Sequence, residues 1–235
     1  MDGNEQAADG EKQIERRVAT LAHDMRDMLG GVASGLELLR RNAATHLPAD
    51  QLRLLDMTRG ETGRLLDLVS ALVEIGHLER GQRTAHLRPC PADHLVYRLR
   101  QTLVAGGQID LQEDLAAELP AVLCDEELLA SALRYLLSGM RWNRPLRLRI
   151  GRPDAPPQIA PLAGAVLVAL GGAPLRPPAP AVEQLLAGAP PTGLLGVDDP
   201  RLAYVMLVAR AHAAPIWLER HPDQTVSYCL ALPAA

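Results

Sequence analysis

Between Ile14 and Val32 the apolar residues Ile14, Val18, Leu21, Met25, Met28 and Val32 are spaced 4, 3, 4, 3 and 4, which is the a/d repeat of a heptad. A strand, with its two-residue period, cannot produce that spacing, so the chain must open with a long amphipathic helix. "NAATHLPAD" interrupts the pattern with Pro48 and a capping candidate, Asp50. A second helical run from about Gln51 to Arg80 then carries Leu55, Leu65, Val69, Leu72 and Ile75. Two long helices joined by a short loop make an antiparallel hairpin. Alone it leaves one apolar face wet, and two copies pairing into a four-helix bundle bury that face, so a homodimer is expected. The polar stretch 1–10 is expected to be disordered, and residues 11–82 form the hairpin domain.

Beyond "RGQRTAHLRPCP" the pattern becomes mixed, and residues 88–235 are expected to form a second, α/β domain. "ADHLVYRLRQTLV", "DEELLASALRYLLSGMRW" and "RLAYVMLVARAHA" have helical periodicity, and "QIDLQEDL", "LRLRIG" and "AVLVALG" read as strands. "PIWLERH" and "TVSYCLAL" form a closing hairpin, and the proline-rich stretch after Leu175 reads as loop. The fold class is therefore α+β: a helical hairpin followed by an α/β sandwich.

Phe is absent and the net charge is -4, spread without long blocks. The core must come from aliphatic side chains, and nothing suggests a nucleic-acid or membrane surface. Cys90, Cys124 and Cys229 form no C-x-x-C pair, so neither a disulfide framework nor a zinc knuckle is indicated. With no signal-type N-terminus and no long apolar run, a cytoplasmic protein is expected.

"LAHDMRDMLGG" holds the candidate site. With Leu21 at d and Met25 at a, His23 falls at f, pointing to solvent. Asp24 follows directly, Arg26 and Asp27 lie one turn on, and Gly30 and Gly31 two turns on. Each glycine costs a helix about 1 kcal/mol against alanine. A pair of them needs a reason: a kink, or a bare surface that lets a partner approach the ring, with Ala19 and Thr20 also small. An exposed imidazole can act as a phosphorus nucleophile, and Asp24 can hold its tautomer or move its proton.

"HDMRDML" resembles the phosphoacceptor box of dimeric histidine kinases, matching at His23, Asp24, Met25, Arg26 and Leu29. "RLLDLVSALVEIGHLERGQ" is similar to that family's second bundle helix. The C-terminal portion resembles the family's ATP-binding domain in its order of elements, without its nucleotide motifs. Tyr135 and Gly139 stand where two asparagines normally serve metal and phosphate. Leu170 replaces the adenine-reading aspartate and Pro174 a loop glycine. "VDDPRLA" stands in for the second glycine loop, where Asp198 and Asp199 would repel a triphosphate and Pro200 lacks an amide donor. "TGLLG" from Thr192 to Gly196 reads as an ordinary glycine turn, since no lysine follows.

The chain thus looks like the ChpT-type histidine phosphotransferases, which join a kinase-like bundle to a degenerate ATP-binding domain. The resemblance implies that His23 and Asp24 carry a phosphotransferase activity of a phosphorelay. Thr20, Arg26, Asp27, Gly30 and Gly31 would contact receiver-domain partners, and no ATP would be bound. No cofactor or metal is expected on this chain, the magnesium being supplied by the receiver domain. Two alternatives stay open: a non-catalytic pseudokinase that sequesters a response regulator or a partner kinase, and a divergent active kinase. His212 and His221 near Cys229 are read as packing or surface residues. His46, His77, His86 and His94 are read as lacking acidic companions.

Overall fold

The computed structural model describes residues 2–43, 46–105, 111–138, 146–152, 165–174, 199–223 and 225–235. Gly139, Asp198 and the 192–196 turn lie outside these. The chain divides into two compact units, Met1–Gln82 and Arg83–Ala235.

The first unit is a hairpin of α1 (Asp2–Ala43) and α2 (Ala49–Glu79). α1 begins at Asp2, not near residue 11: Glu5, Gln6, Ala7 and Ala8 favour helix and no proline interrupts them. The helix also runs through Gly30 and Gly31 without a break. The heptad seam is not what closes the hairpin. Leu21, Met25, Met28 and Val32 are each at least 40% exposed. The line one residue over does the packing: Ala22 is buried against Val69 and Val73, with Leu29 alongside. Two adjacent apolar lines run along one helix: the inner one meets α2, and the outer one, which the heptad pattern picks out, is exposed. On α2, Leu54, Met57, Leu65 and Leu72 are likewise exposed. Near the loop, Arg40–Asp56 and Arg59–Glu37 pairs tie the helices together. Exposed as they are, these pairs add little to stability.

The second unit contains a two-stranded antiparallel ribbon of β1 (Arg88–Cys90) and β3 (Val122–Cys124). It also contains a five-stranded sheet of β2 (Leu111–Leu115), β4 (Leu146–Gly151), β5 (Val166–Pro174), β6 (Ile216–Arg220) and β7 (Thr225–Leu232). The sheet order is β2-β4-β5-β7-β6, parallel only between β2 and β4. Among the described residues three helices accompany it: α3 (Ala92–Ala105), α4 (Glu126–Ser138) and α5 (Pro200–Ala211). Leu202 of α5 packs on Leu218 and Tyr228. Because Leu170 pairs with Tyr228 and Tyr228 with Leu218, Leu170 lies on that helix-facing side. The opposite face gathers Leu167, Ala169, Trp217 and Cys229. α4 and α5 meet through Tyr135 and Tyr204, whose rings form an edge-to-face pair 5.0 Å apart.

Candidate functional site

His23 sits mid-way along α1 with its side chain 58% exposed, and its Nδ1 lies 3.4 Å from Oδ2 of Asp27. The carboxylate at the ring is thus Asp27, one helical turn on, whereas Asp24 projects about 100° further round the helix and is exposed. Thr20 is exposed and Arg26 half-buried. Arg26 follows Ala22 by four residues, so it stands on the line that faces α2 instead of the open side. At Gly30 and Gly31 an added Cβ would meet nothing within 4 Å, so the helix surface two turns from His23 is bare and open. Ser34 donates to the Gly30 carbonyl at 2.9 Å, closing on the helix itself.

In the second unit, the positions likened to nucleotide contacts are filled by the protein. Tyr135 is buried in the α4–α5 contact, with the Arg134 guanidinium 4.9 Å from its ring centroid. Leu170 is 1% exposed within the sheet. The adjoining glycines belong to β5 and not to a loop: a Cβ on Gly171 would stand 2.5 Å from Ser227 Oγ, and Gly172, at φ 104°, forms a bulge. Asp199 caps α5, accepting from the Arg201 amide at 3.0 Å and from its guanidinium, with Pro200 as first helical residue. The helix end that would offer amides to a phosphate already holds a carboxylate.

The histidines sort differently from their sequence settings. His212 is fully buried; its Nε2 accepts from the Asp125 amide at 3.0 Å, so Nδ1–H donates to the Val208 carbonyl at 2.7 Å. His221 pairs through Nε2 with Ser227 Oγ at 2.6 Å. Both are structural, in keeping with the sequence reading. His94 departs from it, because its Nδ1 is 3.3 Å from Glu126 Oε1 and 3.9 Å from Cys90 Sγ. No motif spacing reveals this, since Glu126 lies on another helix 32 residues on; Cys90 and His94 at i,i+4 are the only local signal. Burial pushes the thiol of Cys90 up to about 11 and that of Cys124 up to about 12. Neither is a ready nucleophile at neutral pH.

No family model matches the sequence, and no curated protein is similar to it. Solved structures are similar. ShkA, crystallised at full length with AMPPNP, superposes with a TM-score of 0.57 at 19% identity over 94% of this chain. The Acinetobacter baumannii histidine kinase AdeS superposes with a TM-score of 0.51 at 12% identity over 88% of this chain. The fold is histidine-kinase-like. The chain corresponds to 46% of the length of ShkA and 95% of the AdeS chain. Among the described residues no helix is long and apolar enough to cross a membrane.

Proposed function

We propose that this chain is a histidine phosphotransferase of a two-component phosphorelay, of the ChpT type, in which His23 accepts a phosphoryl group from one receiver-domain aspartate and donates it to another. The observation that carries the reading is the contrast between the two units. The imidazole of His23 is exposed with the Asp27 carboxylate 3.4 Å from Nδ1, while the positions likened to nucleotide contacts are occupied by Leu170, Tyr135 and the Asp199 cap. Facing Asp27, Nδ1 would carry the ring proton and leave Nε2 the lone pair that attacks phosphorus. The P–O bond to the donor aspartate breaks as the N–P bond forms, and the carboxylate leaves. Positioning and charge stabilisation do most of the work, and the receiver's magnesium supplies the latter, so this chain needs no metal for the step. Asp24, exposed on the neighbouring side of the helix, would meet the incoming receiver, with Asp27 beside the ring. The bare helix at Gly30 and Gly31 gives that receiver room.

The exposed apolar residues of α1 and α2 support a homodimeric four-helix bundle as the working form. The likeness to ShkA, whose crystal structure holds AMPPNP, makes an ATP-dependent kinase the reading to be tested against. Incubating the protein with labelled ATP, and separately with phosphorylated receiver domains, separates the possibilities. Label from receivers alone supports the phosphotransferase, label from ATP supports a kinase, and label from neither supports a sequestering pseudokinase.

A further inference from the structure

The second unit brings together a cysteine, a histidine and a glutamate that the phosphotransfer reading does not use. Cys90 ends β1, Pro91 turns the chain, and His94 lies in the first turn of α3; Glu126 is the first residue of α4. The Cys90 Sγ, the His94 ring nitrogen and a Glu126 oxygen all lie within 4.8 Å of one another. Zinc bond lengths of about 2.0–2.1 Å to nitrogen, 2.0 Å to oxygen and 2.3 Å to thiolate give tetrahedral edges of about 3.3 Å for N···O and 3.6 Å for S···N. The structure has 3.3 Å for His94 Nδ1 to Glu126 Oε1 and 3.9 Å for Cys90 Sγ to His94 Nδ1. A small turn of the exposed His94 ring closes the difference. The second carboxylate oxygen, Oε2, is 3.6 Å from Arg98 Nε, which aims Oε1 at the histidine.

We infer that Cys90, His94 and Glu126 form a zinc site that fastens the start of α3 to the start of α4, with a fourth, solvent-facing position taken by water. Binding releases the Cys90 thiol proton to solvent, and the thiolate and carboxylate together neutralise the dication. Thiolate and imidazole donors favour zinc over magnesium or calcium. Cys124, buried beside Cys90 on the ribbon, is not among the three groups whose ligand atoms all lie within 4.8 Å of one another, and the proposed site does not use it.

The test uses the full chain made without a histidine tag, stripped with a chelator and titrated with cobalt(II) and then zinc. The expected result is one metal per chain, a single thiolate-to-cobalt charge-transfer band, tetrahedral visible bands that zinc abolishes, and a higher melting temperature with zinc. His94 is exposed, so His94→Ala should leave the circular dichroism unchanged while removing the bands and the zinc-dependent melting shift. Arg98→Gln should weaken binding about tenfold, and Cys124→Ser should retain it. Absence of the charge-transfer band, or unchanged metal affinity in His94→Ala, would overturn the site and leave His94 and Glu126 as a surface ion pair.

Discussion

At the scale of single residues, the network around Asp125 and His212 makes the clearest stability predictions. Asp125 caps α4: Oδ1 accepts from the amides of Glu127 and Leu128, and Oδ2 from that of His86. Burial alone would raise its pKa, but the amides of His86 and Leu128 hold it below the ordinary carboxylate value. A depressed native pKa means that the unfolded state binds the proton first on acidification. The contribution is therefore complete above an unfolded pKa of about 3.9 and is lost as pH falls through the lower native value. Asp125→Asn should thus show a constant stability deficit between about pH 5 and 8 that closes below about pH 4, measured by denaturant melts. His212→Ala strands the Asp125 amide and opens a cavity, and should cost about 3 kcal/mol in the same measurement. The exposure of His23 was legible from heptad position, because f points away from a seam whichever partner the seam meets. Its carboxylate neighbour was legible too, since a helix brings residue i+4 and not i+1 beside the ring, but the sequence reading gave that role to Asp24. The company of His94 was not legible, because it depends on how α3 and α4 pack.

Among the elements, each of the long periodic segments had the predicted type, because several turns of consistent burial leave little ambiguity. β1 and β3, three residues each, carry too few positions to show a period and were missed. The extension of β5 through its glycines was hidden for another reason: Gly171 and Gly172 resemble a loop in sequence, yet one avoids Ser227 and the other forms the bulge. Gly172→Ala, at φ 104°, should destabilise the second unit by about 1–3 kcal/mol in thermal melts. On α1 the opposite holds, because Gly30 has open space around it. Gly30→Arg should keep or raise helicity and block uptake of label from a phosphorylated receiver; loss of helicity would assign the glycine a conformational role.

For the molecule as a whole, order and class of elements were readable while the use of the apolar seam was not: a heptad pattern says that a face is buried, not against which helix. The hairpin closes on Ala22, Val69 and Val73, so Leu21, Met28 and Leu65 stay exposed, on the face where the proposed second copy would pack. Light scattering of the full chain should give twice the chain mass, and Met28→Glu with Leu65→Glu should give monomers of unchanged helicity. Calorimetry with Mg-ATP should show no binding at roughly micromolar affinity, because on the proposed reading the Asp199 cap and Leu170 stand where the resemblance puts nucleotide contacts. The central claim rests on the ring of His23, and the most direct measurement is transfer of labelled phosphate from a phosphorylated receiver domain to the wild-type protein and to His23→Ala. Acid-labile label is expected on the wild type and none on the variant, with oligomeric state and circular dichroism unchanged. Label on His23→Ala at the wild-type rate would contradict it.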